Sequence, residues 1–130
     1  MPRVRELTGD HLEFWRERHL CTVTTLRADG SPHVVPMGIV VDPDAGLAWG
    51  ITSRTSQKVA NLRSGTDPRV AVCQVDGRRW STIEGTAEVR EDAASVAEAV
   101  RRYAERYRQP RENPDRVALL ITVTSVIGNV

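Results

Sequence analysis

LCTVTTLRADGSPHVVPM, residues 20–37, decides the fold. Its first seven residues are rich in β-branched side chains, which suit a pleated strand better than a helix. Asp29-Gly30 is the dipeptide that a tight hairpin turn selects, because glycine accepts positive φ without a Cβ clash. The return run continues almost unbroken in valine and isoleucine, which predicts a second strand over 32–42, buried on much of both faces. Pro36 in its middle lacks a ladder N–H and predicts a bulge, an edge or a strand break.

The same grammar extends in both directions. Residues 8–18 predict a short helix capped by Thr8, with Leu12, Phe14 and Trp15 on its apolar side. Asp42-Pro43-Asp44-Ala45-Gly46 is a loop, 47–52 a third strand, and a two-turn helix after it closes near Ser64-Gly65. Strands over 69–75 and 78–90 flank a second hairpin signal at Asp76-Gly77, and Gly85 marks a bulge or bend. Residues 92–108 carry Val96, Val100, Tyr103 and Tyr107 at helical spacing, one stripe facing the core. Pro110, Asn113 and Pro114 end that helix, and 117–126 is the last strand. Six strands, two tight hairpins and no regular βαβ alternation give a mainly β (α+β) domain over 1–130, an antiparallel barrel or sandwich with accessory helices.

Bulk properties exclude several classes. A net charge of +1 with both signs dispersed, and no basic–aromatic interleaving, argues against nucleic acid as a partner. No apolar run is long enough to span a membrane, and the first residues hold Arg3, Arg5 and Glu6 where a signal peptide would be apolar, so a cytoplasmic protein is expected. Cys21 and Cys73 fall within strands and read as small hydrophobes, with no spacing that suggests a metal site.

One segment points to chemistry. Lys58 is the single lysine, against seventeen arginines, and it follows the hydroxyl-rich turn Thr52-Ser53-Arg54-Thr55-Ser56-Gln57. A helix start exposes unpaired N–H groups, and hydroxyls plus an ammonium beside it make a phosphate-holding set. The plainer alternative makes Ser56 an N-cap and Lys58 a solvated helix residue. No role for Arg54 is legible. No nucleophile–base–orienter set is visible, so catalytic side chains are unassigned and hydride transfer fits better than hydrolysis.

Residues 20–37, SQKVANL (56–62) and VDGRRWSTIEGTA (75–87) together resemble the flavin/deazaflavin oxidoreductase family with the split β-barrel fold of pyridoxamine-phosphate oxidases, and within it the branch of F420-dependent biliverdin reductases. The resemblance implies a homodimer with the cofactor in a groove between subunits. It implies that His33, Val34, Val35, Pro36, Met37 and Gly38 lie against the ring, and that Ile51, Thr52, Ser53, Ser56, Gln57 and Lys58 hold the phosphate-bearing tail. Asn61, and less so Arg63, would reach toward an acidic tail. Trp80 would wall the ring pocket or simply pack, and Arg78 or Arg79 would face an anionic group. His33 is a candidate proton or hydrogen-bond donor, or merely structural. The implied cofactor is coenzyme F420, with FMN as the alternative, and the implied reaction is hydride transfer to a tetrapyrrole, biliverdin to bilirubin. The competing classes are an FMN-dependent oxidoreductase and a non-catalytic carrier of deazaflavin, haem or lipid.

Overall fold

A computed structural model describes residues 9–64 and 67–130; the expected cap Thr8 and closing Gly65 lie outside the described residues. In chain order the elements are α1 (Gly9–Arg16), β1 (Cys21–Leu26), β2 (Pro32–Met37), β3 (Val40–Asp42), β4 (Leu47–Ser53), α2 (Gln57–Arg63), β5 (Arg69–Asp76), β6 (Arg79–Arg90), α3 (Ala93–Arg106) and β7 (Arg116–Asn129). The strands form one antiparallel sheet in the order β2-β1-β5-β6-β7-β4-β3.

That order forces the sheet to curl. Laid flat, end strands of a seven-stranded sheet would sit nearly 30 Å apart, at ~4.8 Å per strand. The end strands here are β2 and β3, and only Gly38 and Ile39 separate them in sequence. Such a link reaches about 11 Å at most. The two edges are therefore drawn together, yet no ladder joins β2 to β3 among the described strands. The result is a split barrel with its seam at Gly38-Ile39.

The seam also explains the strand count. The expected strand over 32–42 breaks after Met37, which makes seven strands where six were expected. Pro36 lies within β2, an edge strand, where a missing N–H costs no ladder bond. Burial of this run on both faces is not observed: β2 alternates exposed and half-buried residues, and Val34 is 56% exposed. An edge strand with an open outer face leaves such valines without neighbours.

Both hairpins form where glycine permits them. Gly30 adopts φ 87° and Gly77 φ 63°, and the Asp29 carboxylate accepts from the Ser31 N–H at 2.9 Å. At the expected bulge, Glu84 faces Ser125 but Gly85 faces Val123, so the extra residue is Thr124 on β7. A Cβ on Gly85 would lie 2.0 Å from the Thr122 carbonyl oxygen, so only glycine admits this approach.

The barrel interior holds Cys21, Val23, Val72, Ile83, Ile121 and Val126. Phe14 and Trp15 of α1 are buried, and the Trp15 indole N–H donates to Ser81 Oγ at 2.9 Å. Asp92 caps α3 through the Ser95 N–H. The expected stripe Val96, Val100, Tyr103 and Tyr107 is only half-buried; the fully buried α3 residues are Ala99 and Arg106.

Arg106 is 8% exposed and meets no carboxylate among the described residues. Its guanidinium donates to the Glu17 carbonyl at 2.7 and 2.9 Å, to Gln74 Oε1 at 2.7 Å, and to the Ile39 carbonyl at the seam. Gln74 in turn donates to the Phe14 carbonyl at 2.9 Å. Beside it, burial pushes the Tyr107 phenol well above its ordinary range. It therefore stays protonated and donates to the His19 carbonyl at 2.5 Å, while the Ile39 N–H donates to it at 3.3 Å. Both backbone groups of Ile39 are thus tied to α3 and its end.

Arg106→Met preserves bulk but strands these buried acceptors. Each buried unsatisfied polar group costs roughly 1–3 kcal/mol, so the variant should lose about 3 kcal/mol of stability. Urea unfolding measures this as a fall in midpoint at constant slope.

Candidate functional site

β4 delivers Ile51, Thr52 and Ser53 to the end of the sheet, where the chain turns into α2. The Ser56 N–H donates to the Ser53 carbonyl at 3.0 Å, which closes the turn. Ser56 is the N-cap, and its hydroxyl accepts from the Val59 N–H at 3.4 Å and from Thr52 at 3.3 Å. Ser53 and Thr55 hydroxyls lie 3.3 Å apart. Hydroxyls therefore crowd one corner, as the sequence suggested.

Lys58 is half-buried and makes no hydrogen bond or ion pair with any described residue. Loss of water lowers its ammonium below the ordinary lysine value, since burial disfavours the charged form. Neighbouring cations are committed elsewhere: Arg54 lies 3.7 Å from Glu91 and 3.9 Å from Asp115, and Arg63 pairs with Glu91 at 2.7 Å. That gives Arg54 the structural role the sequence left blank. Asn61 is 3% exposed, donates to Thr25 Oγ1 at 2.9 Å and accepts from Gln57 Nε2 at 2.7 Å. The expectation that Asn61 reaches toward an acidic tail is therefore corrected: its amide is locked inside, joining α2 to β1.

A groove of about 310 Å³ opens at the seam. Of the residues foreseen from sequence, Met37, Gly38, Ile51, Thr52 and Ser53 line it. Leu20, Tyr103, Pro110, Asn113 and Arg116 complete it and were not foreseen as site residues. The helical stripe in the sequence places Tyr103 only toward the core. A Cβ on Gly38 would fall 2.6 Å from the Tyr107 ring and 2.9 Å from that of Tyr103, so the backbone must be bare here. Ser56, Gln57 and Lys58 do not line the groove; the Thr52–Ser56 hydroxyl contact connects their turn to its wall.

Other expected residues lie outside this groove. His33 and Val35 are half-buried on β2, and His33 Nδ1 is buried with no hydrogen-bond partner. Val34 and Pro36 face outward. Arg78, Arg79 and Trp80 sit at the β5–β6 hairpin. Arg79 is held by Glu17 at 2.9 and 3.0 Å and Asp76 at 2.5 Å, and it stacks 4.7 Å over the Phe14 ring. Trp80 is 37% exposed and pairs across strands with Val75, 66% exposed. A larger groove of about 630 Å³ crosses the outer face of β1, β5, β6 and β7, between Thr24, Ala71, Glu84 and Ser125, and contains none of the foreseen residues.

A split barrel of antiparallel strands with accessory helices is the class that fold and groove define. The chain belongs to the pyridoxamine 5′-phosphate oxidase family, whose model matches residues 7–129. It is 48% identical over 124 residues to an F420H(2)-dependent biliverdin reductase of Mycobacterium tuberculosis (strain CDC 1551 / Oshkosh), covering 95% of this chain and 88% of that one. It is structurally similar to an F420 reductase, with TM-score 0.74 at 22% identity over 92% and 98% of the two chains. It is also similar to a haem storage protein of Vibrio cholerae, with TM-score 0.75 at 17% identity over 93% of each; these two likenesses speak to the fold. No helix among the described residues is long and apolar enough to cross a membrane.

The Arg79 latch makes a pH prediction. Hydrogen bonds from Arg79, then His19, lower the Glu17 carboxyl from its ordinary value near 4.5 to about 2. A lowered folded-state value means the stabilisation is complete above about 4.5 and is lost as pH falls toward about 2. Glu17→Gln should flatten the acid side of the stability–pH curve over that window, as read from thermal melts.

Proposed function

We propose that this protein is an oxidoreductase that uses reduced coenzyme F420 to reduce a conjugated acceptor, with biliverdin, converted to bilirubin, as the leading substrate. The observation that carries this reading is the 48% identity to an F420H(2)-dependent biliverdin reductase across 95% of this chain. Two features support a phosphorylated, ring-bearing ligand. Lys58 is a cation withdrawn from water without a counter-ion, and His33 Nδ1 is a buried polar atom without a partner. Polar groups drawn from water without a protein partner gain from a ligand group, which supports this reading.

In this reading Thr52, Ser53, Ser56, Gln57 and Lys58 bind the phosphate by charge and hydrogen bonds. Met37, Gly38 and Ile51 present an apolar wall that excludes water and orients the ring. When bound, reduced F420 supplies a hydride from C5 of its deazaflavin ring. His33 Nδ1, buried without a protein partner, would offer a hydrogen bond at the ring-facing strand.

The protein acts as a homodimer with the cofactor groove between subunits. Val34, Val75 and Trp80 are large apolar side chains left exposed on the outer sheet face. Val75 and Trp80 face each other across the β5–β6 ladder, an apolar pair that a contact surface would cover. A second copy on that face would cover them and would bring the Arg78–Trp80 hairpin into an interface.

FMN is the second reading, which the resemblance to pyridoxamine-phosphate oxidases implies. Titrating purified protein with each cofactor separates the two, and a yellow protein as isolated would favour FMN. Protein with reduced F420 and biliverdin should bleach the biliverdin band and form bilirubin. Binding of F420 without turnover of any tetrapyrrole would leave a carrier instead. Lys58→Ala should weaken F420 binding about tenfold, or ~1.4 kcal/mol, in a fluorescence titration; unchanged affinity would return Lys58 to ordinary surface.

A further inference from the structure

Cations removed from water are few in this chain. Among the described residues, the lysine and arginines that are buried or half-buried are Lys58, Arg79, Arg102, Arg106 and Arg116. Arg79 and Arg102 bind carboxylates, and Arg106 binds carbonyls. Arg116 has neither solution in full. It lines the seam groove and meets no carboxylate among the described residues. One Nη2–H donates to the Arg111 carbonyl, which steadies the guanidinium and leaves its other donors without protein partners.

Asn113 lines the same groove. Its Oδ1 accepts from the Asp115 N–H at 2.9 Å, and its carbonyl accepts from the Arg116 N–H at 3.1 Å. These bonds fix the loop and leave the side-chain NH₂ as a free donor. Ser53 completes the end, directly across the β4–β7 ladder from Arg116. Leu20, Met37, Ile51 and the Tyr103 ring line the rest of the groove. One pocket thus has an apolar length and a terminus of amide, hydroxyl and guanidinium donors.

We propose that Arg116, with Asn113 and Ser53, forms an oxyanion seat at the end of the seam groove, for a carboxylate or phosphate carried by an apolar, ring-bearing ligand. A planar guanidinium matches both groups with two parallel bonds. The identity of that ligand rests on the cofactor and acceptor reading above; the seat itself rests on the donors.

The full-length protein should be titrated with inorganic phosphate and with acetate while the Arg116 Nε–H and Asn113 side-chain amide NMR signals are followed. Saturable shifts at both are expected, and the Asn113 shift should vanish in Arg116→Gln with the rest of the spectrum unchanged. Asn113→Asp keeps the acceptor for the Asp115 N–H and places a negative charge in the seat. It should abolish the Arg116 shift even if Arg116→Gln folds poorly. Absence of saturable shifts in the unaltered protein would overturn the proposal.

Two further arms identify the ligand. Loss of at least tenfold in F420 affinity on Arg116→Gln, with no loss for the phosphate-free deazaflavin nucleoside, would assign the seat to the cofactor. A tenfold rise in KM for biliverdin, absent for its dimethyl ester, would assign it to the acceptor carboxylates. Phosphate shifts without binding of F420 or FMN would sustain the seat and defeat the cofactor reading.

Discussion

The buried guanidinium of Arg106 holds the barrel's seam. A seven-stranded sheet whose ends are only two residues apart in sequence must curl, and the chain at that point, Gly38-Ile39, lies outside any ladder. Backbone groups outside a ladder still require partners when buried. Arg106 satisfies the Ile39 carbonyl and Tyr107 the Ile39 N–H. The same arginine binds the Glu17 carbonyl and Gln74, so α1's end, β5 and the seam are fixed to α3 by one side chain. A charge buried without a carboxylate is tolerable because carbonyl and amide oxygens surround it.

The groove follows from that constraint. Where β2 and β3 part, the sheet leaves a gap that Tyr103, Met37 and Ile51 border, and Gly38 keeps the backbone bare beneath the tyrosine rings. The ends of β4 and β7 place Ser53 opposite Arg116 at the rim of the same gap. Structural charges are neutralised within the chain: Arg54 and Arg63 by Glu91, Arg79 by Glu17 and Asp76, Arg102 by Asp42 and Glu98. Lys58 and Arg116 are left half-buried without carboxylates, on either side of the turn that leaves β4. That division between satisfied and unsatisfied cations separates scaffold from candidate binding surface.

The hairpins at Asp29-Gly30 and Asp76-Gly77 were legible because their chemistry is local: a positive φ and an adjacent aspartate need no distant neighbour. The α2 start was legible for the same reason, since Ser56 caps its own helix. The division of 32–42 was not legible. Valine and isoleucine look alike whether a strand continues or changes edge, and the break depends on Arg106 and Tyr107, far along the chain. Nothing local in the sequence singles out Arg106, whose partners lie at the end of α1, on β5 and at the seam. Arg116 likewise carries no local signal that separates it from the sixteen other arginines. Asn61 misled in the opposite direction, since its partner Thr25 lies in another element.

The sequence by itself determined the mainly strand character of the chain, the two tight turns, the capped helix and the lysine beside it, because each rests on backbone preferences and contacts within a few residues. Tertiary structure alone decided where the sheet parts, which polar side chains are consumed inside and which are left facing a groove. Those outcomes depend on burial and on partners remote in sequence, and desolvation gives a charge its meaning only once its surroundings exist.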